Sequence, residues 1–554
     1  MSSGRNSKWL ASCFLVLVAL TSVAEAQKQP EAVPNESGGP LLYEQAAFDV
    51  THYDLTLRIN PDEQSIKGAV IVEASIVHPT RWFVLDLDTA LAIDAVTMAA
   101  TADQWLPLPY ERRSGKIWIA FPLTRQPGDS VKVRVAYGGK PRIAPRPPWD
   151  DGFVWKKTPG GAHWVGVTCF EKGADLWWPC KDHPSDEADS VSLHITVPEP
   201  LVCASNGRLQ SVTKNDDGTR TFNWFVSTPI NNYDVTINLA PYRTLEAEYK
   251  SVTGESVPAV FYVLPENYEK AKPLFAQFLK MVRFYEENLG PYPFRADKLG
   301  IANTPYQGME HQTIVSYGDP FKDNAFGFDW LLLHEFGHEW WGNLVTAADF
   351  RDLWIHEGFE EYMECLYAEH LGGIEAYHNY FNKGRRRMTN VQAVAPRESL
   401  TAHQIYGDDV YFKGRAILHT LRYLIGDQAM FTALRRMAYP DPQMEKIKDG
   451  KQCRFVTTDD FLRIAEEASG LKLDWFFEVY LRQPKLPRLL IERKDDALLL
   501  RWDTPNNLPF TLPVEVQIGD HKQRYEMRDG QVTIPIKPGE QPVIDPKNWI
   551  LKAE

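Results

Sequence analysis

The sequence lacks the features that usually mark nucleic-acid-binding proteins, cysteine-based metal sites and membrane proteins. No long block of lysine and arginine occurs in its 554 residues, and the net charge is -13, so we expect no nucleic-acid partner. No Cys-x-x-Cys pair is present, so the sequence predicts no cysteine-based zinc site. Beyond the N-terminus, no apolar run is long enough for a membrane span. Aromatic residues make up 12% of the chain, which is typical of a globular protein.

The N-terminus carries the pattern of a secretory signal peptide. Arg5 and Lys8 precede a short apolar run at residues 9–20, and A-E-A at residues 24–26 matches a small-x-small cleavage site. We therefore predict a signal peptide over residues 1–26, cleaved at its end, and export to the periplasm or the exterior. A lipoprotein anchor at Cys13 is the weaker alternative, because the apolar run continues beyond that cysteine.

Cysteine is scarce, and the predicted cleavage leaves five. An odd number in an exported chain leaves at least one thiol unpaired. A bridge between Cys169 and Cys180 is one pairing, but the sequence leaves the pairing open among Cys169, Cys180, Cys203, Cys365 and Cys453.

Hydrophobic periodicity divides the mature chain into three domains after a polar leader at residues 27–40 that we expect to be flexible. Residues 41–240 are rich in alternating apolar and polar residues, which predicts a β domain. Residues 241–484 contain apolar residues at helical spacing and are predicted to form a mainly helical domain. Residues 485–554 return to strand patterns that suit a small β-sandwich. The predicted fold class is a multidomain α+β protein.

Residues 330–362 contain the strongest functional signal. They include H-E-x-x-H as His334, Glu335 and His338. Two histidines four apart lie on one face of a helix, where both imidazoles reach one metal ion, and the intervening glutamate can take a proton from water. Glu357, on a second predicted helix, is placed to supply a third ligand. Two histidines and one glutamate leave the fourth tetrahedral position of a zinc ion open, which predicts a catalytic site.

The competing interpretation is a buried helix that carries two histidines with ordinary hydrogen bonds. Its flanking residues, such as Leu332, Phe336 and Trp340, are apolar nearly all round, so burial is expected in either case. Burying two histidines and a glutamate costs free energy unless a partner compensates them, and a metal ion does so. We therefore favour the metal site.

Several motifs in the expected order resemble the aminopeptidase N family of zinc metallopeptidases, a gluzincin family that includes leukotriene hydrolase. H-E-x-x-H is followed by W-G-N at residues 341–343 and W-I-H-E-G at residues 354–358. Q-G-M-E-H at residues 307–311 is similar to the family's G-x-M-E-N motif, and Y-F-K-G at residues 411–414 is similar to its Y-x-K-G motif. W-W-P-C-K-D at residues 177–182 resembles the family's W-F-P-C-x-D segment. The resemblance extends over nearly all of the mature chain.

This resemblance implies a saddle-like N-terminal β domain, a thermolysin-like, mainly helical catalytic domain and a C-terminal β-sandwich. It also implies a form without the helical C-terminal domain of many relatives, because the sequence ends at Glu554. One zinc ion per chain is implied as the cofactor. Its ligands would be His334, His338 and Glu357, with Glu335 as the general base.

Family position also implies substrate-binding roles. Tyr411 would donate the hydrogen bond that stabilises the oxyanion, and the alternative is a core tyrosine at the start of a helix. Glu310 would pair with the α-amine of a peptide substrate, while Gly308 and Met309 align the substrate backbone. Tyr406 is interpreted as a packing residue near the same cleft.

Five positions depart from the family pattern or have two interpretations. Gln307 replaces a glycine and His311 replaces an asparagine of the exopeptidase motif. Thr168 stands where some relatives have an amine-binding glutamine, with Glu171 nearby. These departures leave open how the amine is held. Glu361 and Glu364 share a helical face with the third ligand, where one would accept a hydrogen bond from a ligand histidine or both would form a solvated acidic surface.

The sequence therefore predicts an exported zinc-dependent aminopeptidase that acts on peptides with a free N-terminal amine. Two alternatives stay open, namely a thermolysin-like endopeptidase in which Glu310 is structural, and a non-catalytic peptide-binding relative. The presence of both histidines, Glu335, Glu357 and Tyr411 argues against the second alternative. No motif specifies the natural substrates, the preferred N-terminal side chain or the oligomeric state.

Overall fold

The computed structural model describes residues 36–318 and 320–554. The predicted signal peptide and most of the predicted leader lie outside these residues. Within them, the chain forms a β-rich N-terminal domain, a mainly helical central domain and a C-terminal region of two small sheets, in agreement with the predicted fold class. No helix in this part of the chain has the length and apolarity needed to cross a membrane.

The N-terminal domain consists of strands, preceded by the short helix α1 at Tyr43–Ala46. Its strands are β1 Phe48–Asn60, β2 Ser65–Ile76, β3 Thr80–Asp86, β4 Leu91–Ala99, β5 Trp105–Pro107, β6 Tyr110–Arg113, β7 Lys116–Arg125, β8 Ser130–Gly139, β9 Gly152–Lys157, β10 His163–Thr168, β11 Ser190–Pro198, β12 Val202–Ser205, β13 Arg208–Lys214, β14 Thr219–Val226 and β15 Ile237–Ala240. They form an eight-stranded sheet in the order β13-β14-β11-β1-β2-β8-β4-β5, a four-stranded sheet in the order β12-β15-β10-β9, and a three-stranded sheet in the order β3-β7-β6.

Strand β1 shows why these residues form a sheet. Its apolar residues Tyr53, Leu55, Leu57 and Ile59 are buried, and the residues between them are at least partly exposed, as a half-buried strand requires. It pairs antiparallel with β2 and parallel with β11, so it lies in the middle of the eight-stranded sheet.

The central domain begins with a five-stranded sheet. Its strands are β16 Arg243–Lys250, β17 Ser256–Val263, β18 Leu299–Asn303, β19 Gly308–Met309 and β20 Val315–Tyr317. Their order is β16-β17-β18-β20-β19, so β19 lies at one edge. Two further strands, β21 Val345–Ala347 and β22 Arg454–Val456, pair parallel with each other.

The first helix of the central domain lies between β17 and β18 in sequence, and the others follow β20. They are α2 Tyr268–Leu289, α3 Trp330–Gly337, α4 Trp354–Gly384, α5 Ala402–Ile405, α6 Gly414–Ile425, α7 Asp427–Ala438, α8 Thr458–Ser469 and α9 Asp474–Tyr480. Helix α2 ends before Gly290, whose φ of 109° is accessible mainly to glycine. Its buried residues recur at helical spacing and pack against the metal-motif helix α3, through contacts such as Phe278 with Phe336.

The C-terminal region packs two small sheets onto the central domain. The strands are β23 Arg488–Arg493, β24 Ala497–Asp503, β25 Val514–Ile518, β26 His521–Tyr525, β27 Gln531–Pro535 and β28 Val543–Ile544, in the orders β23-β24-β27 and β26-β25-β28. The rings of Trp549 and His419 stack at 4.6 Å, and the Tyr480 hydroxyl donates to the carbonyl of Leu551 at 2.5 Å. These contacts join the sheets to helices α6 and α9.

The end of the predicted leader is ordered rather than flexible. Ser37 is buried, its N–H donates to the carbonyl of Glu171 at 3.1 Å, and its carbonyl accepts the N–H of Ala402 at 2.9 Å. The Thr401 hydroxyl donates to Glu36 at 2.7 Å. This segment therefore joins the N-terminal and central domains, through backbone hydrogen bonds that a polar composition does not reveal.

The five cysteines within the described residues are free thiols. Cys169 and Cys180, one pairing compatible with the sequence, are both fully buried in the N-terminal domain. Burial raises the pKa of both thiols, and nearby aspartates raise it further, so neither is a reactive thiolate.

Candidate active site

Helix α3 presents two histidines to one cavity. Its N-terminus is capped by the Asp329 carboxylate, which accepts the N–H of Leu332 at 2.9 Å. The helix ends at Gly337, and His338 follows as the C-cap residue, one turn after His334. Both imidazoles are buried and line the cavity. The cap and the apolar packing of α3 therefore fix the direction of both rings.

Three atoms of His334, His338 and Glu357 form a nearly equilateral triangle. The two Nε2 atoms are 3.4 Å apart, and each lies 3.6 Å from Oε2 of Glu357. Ligand atoms about 2.0–2.2 Å from a tetrahedral zinc ion lie roughly 3.3–3.6 Å from one another. Oε2 of Glu357 is buried and has no hydrogen-bond partner in the described part of the chain. The triangle therefore fits one zinc ion, which would compensate this buried charge.

The other ring nitrogen of each histidine is held by a hydrogen bond. Nδ1 of His334 lies 2.9 Å from Oε1 of Glu364, and Nδ1 of His338 lies 2.9 Å from the carbonyl oxygen of Trp341. A carboxylate and a carbonyl only accept hydrogen bonds, so we assign the proton of each ring to Nδ1. The lone pair of each Nε2 is then available to a metal ion.

Glu361 and Glu364, which the sequence leaves equivalent, have different partners. Glu364 contacts His334 and also accepts the hydroxyl of Tyr380. Glu361 instead pairs with NH1 of Arg415 at 2.7 Å. Both carboxylates are buried, so neither belongs to a solvated acidic surface.

Replacing Glu364 by glutamine is expected to lower zinc affinity about 10- to 100-fold. The amide keeps the size of the carboxylate but loses the charge that holds the Nδ1 proton of His334. Competition with a zinc-binding dye measures the dissociation constant. Glu375→Gln is the matched control, because Glu375 lies in α4 beyond its kink at Gly373, pairs with Lys547 and is 73% exposed. Equal affinities in the two variants would contradict the role of Glu364.

Two glycines allow helix α4 to contact the turn that carries Tyr411. A Cβ atom on Gly358 would lie 2.9 Å from Cα of Gly414 and 2.9 Å from the carbonyl oxygen of Val410, closer than side chains tolerate. Gly358, which follows Glu357, and Gly414, the glycine of Y-F-K-G, therefore lie where the two backbones cross. This close approach brings Tyr411 next to Glu357.

Replacing Gly358 by alanine is expected to destabilise the central domain by about 1–3 kcal/mol, because the added methyl group forces the two backbones apart. The apparent midpoint of thermal unfolding measures the loss. Gly160→Ala is the control, since the nearest atom to an added Cβ there is 3.6 Å away. An unchanged midpoint for Gly358→Ala would mean that the crossing is not tight.

Tyr411 lies on a π-helical turn at Asp409–Lys413 and reaches the triangle. Its hydroxyl donates to Oε1 of Glu357 at 2.9 Å and lies 3.0 Å from the hydroxyl of Tyr406. Burial raises the pKa of the Tyr411 phenol, and the charge of Glu357 raises it further, so the group keeps its proton and can donate. Tyr406 lines the cavity and contacts Tyr411, so its interpretation as a packing residue is incomplete.

The side chain of Glu335 extends from helix α3 towards the edge strand β19. A Cβ atom on Gly308 would be 2.3 Å from Oε1 of Glu335 and 2.8 Å from Cδ1 of Leu331, so only glycine leaves room for this carboxylate. Burial raises the pKa of Glu335, and the charges of nearby glutamates raise it further. The structure thus brings Glu335, Gly308 and the triangle into one cavity.

Strand β19 places Glu310 at the same cavity. On one side Gly308 pairs with Tyr317 and Met309 with Ser316, and no other described strand pairs with the second side. The carbonyl of Glu310 accepts the side-chain N–H of Asn343 at 3.1 Å, which gives a role to the asparagine of W-G-N. Burial raises the pKa of the Glu310 carboxyl to about 7, with a further contribution from the charge of a zinc-ligand glutamate.

The departures from the family pattern occupy different positions relative to the cavity. Gln307 lines it, whereas His311 is buried beside it, with Nδ1 at 3.0 Å from Oγ of Ser316. Thr168 is fully buried and does not line the cavity among the described residues. Glu171 of the N-terminal domain does line it, and its carboxylate pairs with His403.

The cavity has a volume of about 450 Å³, which suits a short segment of peptide. The motifs do not reveal several of its lining residues. Trp149, Phe170 and Glu171 come from the N-terminal domain, and Arg387 comes from the turn after helix α4. The Pro- and Gly-rich composition around Trp149 indicates only a loop. It does not show that this loop approaches the central domain, because that contact joins residues far apart in the sequence.

Two family models match the chain. Residues 276–480 match the Peptidase family M1 domain, and residues 50–233 match the Peptidase M1 N-terminal domain. Among curated proteins, the chain is similar to endoplasmic reticulum aminopeptidase 1 of Rattus norvegicus, with 25% identity over 79% of this chain and 50% of that protein. It is also similar to puromycin-sensitive aminopeptidase of Caenorhabditis elegans, with 22% identity over 88% of this chain and 54% of that protein.

A solved structure shares the fold. It is an M1 zinc metallopeptidase variant from Deinococcus radiodurans bound to a Tyr-Ser-Ala substrate, with a TM-score of 0.66 and 24% sequence identity. The match covers 82% of this chain and 99% of that chain. By contrast, this chain spans about half the length of the curated relatives that it matches.

Proposed function

Because the chain belongs to peptidase family M1, we propose that it is a zinc-dependent aminopeptidase that hydrolyses the N-terminal peptide bond of peptides. The observation that carries this proposal is one cavity lined by the triangle of His334, His338 and Glu357, by Glu335 and by Glu310. A metal site, a candidate base and a carboxylate suited to an amine therefore lie within reach of one short peptide.

The side chains of the cavity have separate roles in the proposed hydrolysis. His334, His338 and Glu357 would hold a zinc ion, which would supply Lewis-acid chemistry for the scissile carbonyl and the attacking water. Glu335 accepts a proton from that water and gives it to the leaving amine. Tyr411 donates a hydrogen bond to the carbonyl oxygen as that oxygen gains negative charge.

The free end of the substrate is held beside the edge strand. Gly308 and Met309 offer unpaired backbone groups to an extended peptide, as an open sheet edge does. Glu310 would pair with the protonated α-amine, because a buried carboxylate gains most from a cationic partner.

The endopeptidase alternative keeps the same zinc chemistry but makes Glu310 structural. That interpretation requires a protein partner that compensates the Glu310 carboxylate. Burial and the charge of Glu357 instead raise the pKa of the Glu310 carboxyl to about 7, and they outweigh the Tyr233 side chain and the charge of His334, which lower it. An ammonium group from the substrate supplies the missing compensation, so the aminopeptidase is favoured.

A panel of aminoacyl chromogenic substrates, assayed with and without a chelator, tests the proposal. We expect hydrolysis that the chelator abolishes and zinc restores. N-acetylated peptides should be cleaved poorly, because acetylation removes the charge that Glu310 recognises. Equal cleavage of free and acetylated peptides, or cuts at internal bonds of a long peptide, would favour the endopeptidase. No zinc-dependent cleavage of any peptide would favour a non-catalytic relative.

We also propose that the protein is exported, on the basis of the basic, apolar and small-residue pattern at residues 1–26. Expression of the full chain in a secreting host, followed by N-terminal sequencing, tests this. We expect a mature N-terminus at Gln27. Retention of Met1 in the cytoplasmic fraction would contradict export.

A further inference from the structure

The cavity of the candidate site continues into a second cavity of about 260 Å³. The two share four lining residues, Trp330, Glu361, Arg387 and Phe412. No residue of 307–310 lines the second cavity within the part of the chain described. It therefore extends the first cavity at an end away from the strand that holds the substrate amine, where residues after the scissile bond would lie.

The second cavity is lined by three basic side chains and by two glutamates that already have partners, Glu361 with Arg415 and Glu364 with His334 and Tyr380. Lys383 and Arg387 line it, are exposed to solvent, and lie at the end of helix α4 and in the turn that follows. Arg415 is also basic but is buried and already paired with Glu361 at 2.7 Å. Lys383 has no ion-pair partner among the residues that the structure describes.

Two neighbouring side chains orient Arg387, but its guanidinium can still bind a further carboxylate. Its NH2 lies 2.8 Å from Oδ1 of Asp408, and its guanidinium lies 4.2 Å from the ring centroid of Phe412. The side chain is 61% exposed, so water screens this ion pair and leaves it weak. A guanidinium has five N–H donors, so one carboxylate at Asp408 leaves donors for a second.

The two ends of the joined cavities therefore differ in charge. Glu310 adjoins the edge strand at one end, and Lys383 and Arg387 line the other. A peptide with a free amine at one end and a carboxylate soon after the scissile bond has the complementary charges. Long neutral peptides do not place a charge at the basic end.

We propose that Arg387 recognises a carboxylate group on the substrate shortly after the scissile bond, so that the enzyme favours short free peptides or peptides with an acidic residue there. This inference rests on the proposed aminopeptidase function. A C-terminal carboxylate and an acidic side chain offer Arg387 the same chemistry. The substrates of the test distinguish the C-terminal carboxylate from the acidic side chain.

Matched peptides that differ only in the downstream carboxylate test the inference. Dialanine and trialanine are compared as free acids and as C-terminal amides, and alanyl-aspartate amide supplies a side-chain carboxylate instead. We expect kcat/KM to be about five- to tenfold higher for the free acids than for the amides, mainly through KM. If kcat/KM for alanyl-aspartate amide is as high as for the free acids, any nearby carboxylate suffices. If it is as low as for the other amides, the C-terminal carboxylate is the group recognised.

Two variants assign the preference to one side chain. Arg387→Gln should reduce the ratio of kcat/KM between acid and amide to about one, and Arg387→Lys should restore part of it. Arg386→Gln is the matched control, because Arg386 adjoins Arg387 in sequence but lines a separate cleft with Lys485 and Arg488. The control should keep the wild-type ratio.

The outcomes for the inference and for the function on which it rests are distinguishable. Equal kcat/KM for acids and amides in the wild-type enzyme would overturn carboxylate recognition while leaving the aminopeptidase intact. A ratio that Arg387→Gln leaves unchanged would overturn the assignment to Arg387. Failure of the wild-type enzyme to cleave any of these peptides would instead count against the aminopeptidase function.

Discussion

Glu335→Gln is expected to lower kcat on an aminoacyl substrate by about 10²- to 10⁴-fold, with little change in KM. The amide has the shape of the carboxylate and fits the space left by Gly308, where Oε1 lies so close that a Cβ atom would clash. It cannot take a proton from water, so the step that needs a base is lost. Stopped or continuous assays of purified wild-type and variant protein measure the change.

Zinc content provides the control for this variant. The metal triangle consists of His334, His338 and Glu357, so the Glu335→Gln protein should bind zinc with wild-type stoichiometry. If the variant loses both its activity and its bound zinc, the substitution disturbed the metal site rather than removed only the base. A zinc-loaded variant whose kcat falls by less than about tenfold would contradict the general-base role.

The metal motif could be identified from the sequence because it depends on the spacing of residues along one helix. The four-residue spacing of His334 and His338 places both rings on one helix face, whatever the rest of the fold. Glu357 lies on the following helix, as the sequence predicted. The choice between Glu361 and Glu364 could not be made in this way, because it depends on Arg415, which approaches from helix α6.

The residues around the substrate were harder to predict because they converge from distant parts of the chain. Tyr406 contributes a hydroxyl beside Tyr411, although its sequence context indicates only packing. Glu171 lines the cavity, whereas Thr168, which family position suggested, is the last residue of β10 and is fully buried. Arg387 belongs to a short basic run without a motif, and only the end of helix α4 brings it to the cavity.

The domain order could also be predicted, but the contacts between domains could not. Alternating and helical periods distinguish the strands of the N-terminal domain from helices such as α2 and α6. The ordered segment at residues 36–40 has a composition typical of a flexible leader, yet it hydrogen-bonds to both adjoining domains. Such bonds are made by backbone groups, whose partners no side-chain pattern specifies.

Tyr411→Phe is expected to lower kcat by about 10²- to 10³-fold, which is the effect of losing one hydrogen-bond donor to an oxyanion. The phenyl ring keeps the packing against His334, where the two rings lie 6.3 Å apart. KM should change little, because the carbonyl oxygen gains most of its charge only in the transition state. Steady-state kinetics on one chromogenic substrate separates the two parameters.

A second interpretation of Tyr411 makes a different prediction. Its hydroxyl also donates to Glu357, so the tyrosine could act only by holding the third zinc ligand. In that case Tyr411→Phe would weaken zinc binding, and excess zinc would restore activity. Tyr406→Phe is the comparison, because Tyr406 contacts Tyr411 but makes no hydrogen bond to Glu357 among the described contacts. Wild-type zinc affinity in Tyr411→Phe, with kcat far below that of Tyr406→Phe, would assign the lost activity to the oxyanion.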